Sequence, residues 1–265
     1  MISYPTIDPI AFSLGPLQLR WYGFMYLLGF VSAWLLARSR ILRSRQSLSG
    51  VRPWTRTEFD DLATWVFLGV IVGARFGYVL FYDLFMFFED PLELFRIWHG
   101  GMSFHGGFLG VLLAFWFFTR KSGRSFLEIS DFIAPLIPPG LFFGRIGNFI
   151  NAEHWGTPSN LPWAMIFPGA GPLPRHPSQV YEAALEGIVL FVILWAVSSR
   201  TYRKGLVSGL FALLYGIFRC VMELVREPDA HIGYLAFGWL TLGQLLTVPL
   251  ILVGIWLMLR AYNEV

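Results

Sequence analysis

The sequence predicts an all-α integral membrane protein of about seven transmembrane helices, with a small irregular cap and an interfacial helix on its outer, periplasmic side. Three observations carry this. Of 265 residues, 55% are hydrophobic and only 14% charged, and the mean hydropathy is +0.58, outside the balance of a water-soluble domain. Crossing the hydrocarbon core takes about 20 mostly apolar residues, and stretches 21–37, 62–82, 102–119, 126–150, 178–199, 206–225 and 240–259 qualify. Finally, basic residues collect in alternate loops, as the positive-inside rule requires.

The first fifteen residues carry no Lys or Arg and no compact apolar core with a cleavage site, which argues against a removable signal peptide. The first span opens at Trp21 and Tyr22. Arg38, Arg40, Arg43, Arg45, Arg52 and Arg56 follow it, and Arg120, Lys121 and Arg124 follow the third span. Arg200, Arg203 and Lys204 follow the fifth, and Arg260 ends the seventh. The other loops hold only Arg20, Arg96, Arg175 and Arg226. The N-terminus is therefore expected outside and the C-terminus in the cytoplasm. This topology accounts for the net charge of +3, so no nucleic-acid partner is implied.

Within the fourth span, Pro135, Pro138 and Pro139 are expected to kink or partly unwind the helix. Residues 1–265 read as one helical domain with two outward additions. Segment 84–98 mixes Phe85, Phe87, Phe88, Leu92, Phe95 and Trp98 with Asp90, Glu93 and Arg96, the pattern of a helix lying in the interface. Segment 151–177 is too rich in proline and glycine for a long helix and should form the cap. Glycines at spacing four, Gly69, Gly73 and Gly77, then Gly106 and Gly110, then Gly140 and Gly144, suit close helix packing. The single cysteine, Cys220, falls inside span six and reads as a small packing residue. No metal site is expected, because the spacings of His99, His154, His176 and His231 match no zinc pattern.

Ionisable residues inside a span cost about 2.5–3.5 kcal/mol each by insertion scales, so each needs a partner or a task. Arg75, Arg145, Glu182, Glu186, Arg219 and Glu223 are such residues. Tyr215, Arg219, Glu223 and Arg226 share one helix face, Gln179, Glu182 and Glu186 a second, and Arg145 and Asn148 a third. Counted from the outer ends of their spans at about 1.5 Å per residue, Arg145 and Arg219 lie on the order of 10 Å deep. His105 is expected just inside the outer end of the third span. Guanidinium forks match phosphate oxygens bidentately, so these stripes point to an anionic lipid headgroup.

The run Gly144-Arg145-Ile146-Gly147-Asn148-Phe149-Ile150-Asn151-Ala152-Glu153-His154-Trp155-Gly156 resembles the signature G-R-x-G-N-F-x-N-x-E-x-x-G of the prolipoprotein diacylglyceryl transferase family at every specified position. Residues 20–23 (Arg-Trp-Tyr-Gly), 101–107, 175–182 and 215–226 are also similar to that family, in its order. The resemblance implies transfer of the diacylglyceryl group of phosphatidylglycerol to the thiol of a lipobox cysteine in a prolipoprotein signal peptide. A thioether forms and glycerol phosphate leaves, with no cofactor. It implies Arg145 and Arg219 as the phosphate grip, while His105 is the candidate base for the thiol, histidine being the residue type suited to proton transfer near neutral pH. Tyr22, Asn148 and Tyr215 would hold the headgroup, and Glu153, Glu182 and Glu223 would orient or neutralise the arginines. Gly156 and Arg226 complete the expected substrate-binding set. The location implied is the bacterial cytoplasmic (inner) membrane, with the active site near the outer leaflet.

Rival readings are weaker. A transporter or flippase of an anionic lipid would also need buried arginines, but would leave phosphatidylglycerol chemically unchanged. An intramembrane serine protease lacks its Gly-x-Ser-Gly setting at Ser103 and Ser208, and an alcohol phosphotransferase lacks its aspartate-rich motif.

Overall fold

The computed structural model describes residues 2–263 apart from 6, 9, 15–16, 48–51, 97–99, 201–202, 229–232 and 234. After β1 (Ile2–Ser3), strands β2 (Ile10–Leu14) and β3 (Leu17–Arg20) pair as an antiparallel hairpin. The helices are α1 (Trp21–Ser47), α2 (Arg56–Phe81), α3 (Leu84–Glu89), α4 (Phe104–Ser122), α5 (Phe126–Ile133), α6 (Ile137–Ile150), α7 (Ser178–Glu182), α8 (Leu190–Ser198), α9 (Leu206–Glu223) and α10 (Leu242–Asn263). Strand β4 (Met165–Ile166) lies between α6 and α7 and pairs in parallel with β1.

Among the described residues, six helical stretches are long and apolar enough to cross a membrane: Trp21–Leu42, Arg56–Phe81, Phe126–Ile150, Ser178–Ser198, Leu206–Glu223 and Leu242–Asn263. Large apolar side chains such as Phe30, Phe67, Leu80, Leu113 and Leu252 are exposed along the helices, as a lipid-facing surface requires. The chain is thus an all-α, multi-pass membrane protein. The remaining expected span, 102–119, is α4, a helix of 19 residues. Its apolar run is diluted by His105 at one end and by Arg120 and Lys121 in its last turn, so composition alone does not qualify it.

The residues divide into two compact units, Arg38–Ile129 and the rest (Met1–Ala37 with Ser130–Val265). In the first, α2 and α4 meet backbone to backbone through their glycines. A Cβ built on Gly69 would lie 2.9 Å from the Gly110 carbonyl carbon, and one on Gly77 3.1 Å from the Gly106 nitrogen, so both stripes serve packing. Helix α2 starts six residues before the expected span, because Thr55 and Glu58 form a capping box. Glu58 also holds Arg52 (2.8 Å) and the buried Arg124 (3.0 Å). Segment 84–98 forms two short pieces instead of one helix. Helix α3 ends at Glu89, Asp90 caps Leu92, and a 3-10 turn runs over Pro91–Phe95, since Pro91 has no N–H to continue an α-helical ladder. The expected contribution of Trp98 lies outside the described residues.

In the second unit the fourth span stays helical through its prolines. A 3-10 turn over Ala134–Leu136 follows α5, and α6 restarts with proline in its first positions, where a missing N–H is harmless. Helices α9 and α10 close on each other where a Cβ on Gly209 would lie 2.9 Å from the Gly254 carbonyl oxygen. Between α7 and α8, residues Ala183–Val189 form a π-helical segment. The cap follows the end of α6, with Ala152 and His154 at φ of 53° and 57°. Tyr4 ties down the end of α6, its hydroxyl proton shared between the Phe149 and Ile150 carbonyls at 2.6 and 2.7 Å. Burial raises the pKa of Tyr4 above its ordinary value.

Candidate active site

Four helical elements bring the buried charges together. Arg145 stands on α6, Glu182 ends α7, Glu186 lies in the π-helical segment, and Arg219 and Glu223 share one face of α9. The extra residue per turn of a π-helix changes which side chains face inward, and such segments recur at functional sites. Nε of Arg145 is 2.7 Å from Oε2 of Glu182, and its Nη2 donates to Oε2 of Glu186 at 3.2 Å. On the other side of Glu182, Oε1 lies 3.5 Å from Nη1 of Arg219. Arg219 continues to Glu223 through Nη2, and Glu223 is 3.6 Å from Nη1 of Arg226.

The result is a file of alternating charge: Glu186, Arg145, Glu182, Arg219, Glu223, Arg226. Its carboxylates are the more deeply buried members, with side chains 1% (Glu182), 0% (Glu186) and 7% (Glu223) exposed, against 18% for Arg145 and 14% for Arg219. Glutamates therefore form the floor, and the guanidiniums retain access to something else. Nη1 of Arg219 is buried and makes no hydrogen bond among the described residues. Beside Arg219, Glu223, Arg226, Thr241 and Gly243 opens a cavity of about 170 Å³.

Arg226 closes the file at the cap, where its Nη2 is 3.2 Å from Nδ1 of His154. Burial, then the charge of Arg219, push its pKa below the ordinary arginine value, yet a guanidinium stays charged at neutral pH. Tyr22 opens α1, and its ring abuts Gly147, where a built Cβ would lie 3.2 Å from Cδ2. The Tyr22 hydroxyl is 3.2 Å from that of Tyr26. Asn148 is buried, and its carbonyl accepts from the Glu153 N–H at 2.9 Å. Tyr215 stacks on Phe211 on α9.

The expected residues Glu153, Gly156 and His105 take no part in the file. Glu153 is exposed in the cap, and what binds it is its carbonyl, which accepts from Gln179 Nε2 at 2.6 Å. Gly156 is buried at the junction of cap and α9. Its N–H donates to the His176 carbonyl at 2.9 Å, and a Cβ there would lie 2.7 Å from His176 Cβ, so this glycine permits a close approach. His105 belongs to the first unit, exposed at the second position of α4, behind the N-cap Ser103.

Sequence reading assigned no role to Glu186 and Thr241. Thr241 donates its hydroxyl to Oε2 of Glu223 at 2.6 Å. A signal existed, because Thr241 and Gln244 exchange capping bonds at the start of α10, the T-x-x-Q form of a capping box. Cys220 is half-buried and 3.0 Å from the Thr247 hydroxyl. Among the described residues no group of His, Cys, Asp and Glu is placed to hold a metal ion; His99 and His231 lie outside them.

The family model described as "Prolipoprotein diacylglyceryl transferase" matches residues 9–260. Proteins named "Phosphatidylglycerol–prolipoprotein diacylglyceryl transferase" align along almost the whole chain. The one from Nitratidesulfovibrio vulgaris (strain Miyazaki F) is 60% identical over 260 residues, covering 98% of this chain and 96% of its own. That of Oleidesulfovibrio alaskensis is 58% identical, covering 96% and 93%. That of Pseudomonas aeruginosa (strain PAO1) is 56% identical, covering 100% and 97%. With the signature arginine of α6 paired to the glutamates of the following span, the chain belongs to the prolipoprotein diacylglyceryl transferase family.

Proposed function

We propose that this protein transfers the diacylglyceryl group of phosphatidylglycerol to the thiol of the lipobox cysteine of prolipoproteins, the first step of lipoprotein maturation. The observation that carries the reading is the convergence of Arg145 and Arg219 on one buried carboxylate, that of Glu182. Two fixed cations at one place inside a bilayer suit a phosphodiester. The names of the relatives add the substrates.

In this mechanism the outward N–H groups of Arg145 and Arg219 hold the phosphate, while Glu182, Glu186 and Glu223 keep both forks aimed. The substrate thiolate attacks the glycerol carbon that bears the phosphate ester. A carbon–sulfur bond forms as the carbon–oxygen bond breaks, and the electron pair leaves on a phosphate oxygen, whose growing charge the guanidiniums stabilise. The thiol, with an ordinary pKa of about 8.5, must first lose its proton, and His105 is the proposed acceptor. Tyr22, Asn148 and Tyr215 are proposed as headgroup contacts, with Arg226, Gly156 and Glu153 shaping the cap side. The alternating basic loops support an N-terminus outside, a C-terminus in the cytoplasm, and a site in the outer half of the bacterial inner membrane.

The test is mass spectrometry of peptide and lipid after incubation with purified protein in phosphatidylglycerol nanodiscs. A lipobox peptide should gain one diacylglyceryl group for each glycerol phosphate released. A peptide with serine for cysteine should stay unmodified, and an Arg145→Ala protein should give about 10² to 10³-fold less product. Unchanged lipid and peptide with the folded wild-type protein would contradict the reading.

A further inference from the structure

Arg75, inside α2, is a buried charge that the reaction as described does not use. Its side chain is 4% exposed, and a guanidinium so placed is tolerated only when its donors are satisfied. Here backbone carbonyls do this. Nε donates to Leu94 at 3.2 Å, Nη1 to Gly100 and, at 3.1 Å, to Gly101, and Nη2 to Glu93 and, at 3.5 Å, to Arg96. The Glu93 carboxylate, 3.9 Å away, supplies countercharge.

The carbonyls lie in the segments just before α4, and α4 begins with the candidate base. The residue preceding Arg75 makes the next attachment: the Ala74 carbonyl accepts from the Ser103 N–H at 2.9 Å. Ser103 is the N-cap of α4 and accepts from the Gly106 N–H through Oγ at 3.2 Å. Gly101 has φ of 75°, and a Cβ there would lie 2.8 Å from Cδ1 of Tyr78, so the turn has no slack. Ala74 and Arg75 thus hold residues 100–103, two positions before His105. Lysine could not replace this grip, because a single ammonium lacks the planar fork that reaches carbonyls on two segments.

We propose that Arg75 is a positioning residue for His105: together with Ser103 it fixes the start of α4, so that the imidazole meets the substrate thiol at one height and angle. This rests on His105 being the thiol base. Small misplacement of a catalytic group is costly to rate, and the proposed reaction gives Arg75 itself no part in holding the phosphate.

The test is a double-mutant cycle in nanodiscs with wild type, Arg75→Lys, His105→Gln and the double variant, folding being checked by thermal melting. Arg75→Lys should lower kcat about tenfold and change KM for phosphatidylglycerol less than about twofold, and the same substitution should change kcat less than about twofold when His105 is already glutamine. Equal losses in both backgrounds, or a loss in KM alone, would overturn the positioning role while leaving the base assignment standing. A His105→Gln enzyme with full wild-type kcat would overturn both. Should Arg75→Lys fail to fold, Ser103→Ala takes its place in the cycle. A loss of about threefold that vanishes beside His105→Gln is expected, and an additive loss contradicts the proposal.

Discussion

Arg145 and Arg219 hold opposite oxygens of one carboxylate, with Glu182 Oε2 2.7 Å from the first and Oε1 3.5 Å from the second. They reach it from α6 and α9, helices far apart in sequence. Because Glu182 is 1% exposed, its charge would be prohibitive without both partners. The glutamate therefore gathers the arginines as much as the arginines neutralise it, and the phosphate of the proposed reaction would meet two cations held at fixed spacing.

The Glu186–Arg145 contact should be structural as well as electrostatic. Glu186→Ala removes the deeper partner of a buried pair and is expected to cost about 3–5 kcal/mol. Thermal melting in detergent reads this as a clear fall in midpoint. An unchanged midpoint would mean that Glu182 alone suffices for Arg145.

Gly156 should be intolerant for a packing reason. A methyl group there meets the Val225 carbonyl and His176 Cβ, so Gly156→Ala is expected to lose about 1–3 kcal/mol and to loosen the cap. Limited proteolysis of residues 151–177 together with melting checks it. Wild-type protection in the variant would show that the junction has room.

Some of this was legible and some was not, for identifiable reasons. The face Tyr215, Arg219, Glu223 and Arg226 could be read because α9 is a regular helix and charge inside an apolar run is conspicuous. Glu182 and Glu186 read as one face, and both do meet Arg145, but the π-helical stretch between α7 and α8 has no distinctive residue pattern that announces it. Thr241 was missed because a lone threonine carries no charge signal, although its capping box was readable. The hairpin of β2 and β3 carries an alternating pattern in Ile10, Phe12 and Leu14 and in Leu17 and Leu19, too short to stand out beside apolar runs of about 20 residues. Segment 84–98 was read by composition, and Pro91 decided its actual form.

The cap should respond to acid through His176. Burial pushes its imidazole below the ordinary value of 6.5, so the folded protein favours the neutral ring. As pH falls through 6.5 the unfolded chain takes up a proton that the folded cap resists, and stability present above that pH is lost as pH drops through the lower folded value. The melting midpoint should therefore decline as pH falls below 6.5, and His176→Gln should decline less. Identical slopes for the two proteins would assign the acid response to other groups.

The central claim, that Arg145 and Arg219 grip one phosphate from within the membrane, is tested most directly by determining the structure with phosphatidylglycerol bound in nanodiscs. The account predicts phosphate oxygens about 2.7–2.9 Å from nitrogens of both guanidiniums, with Glu182 still between α6 and α9. A phosphate seated away from either arginine in a turnover-competent complex would contradict it.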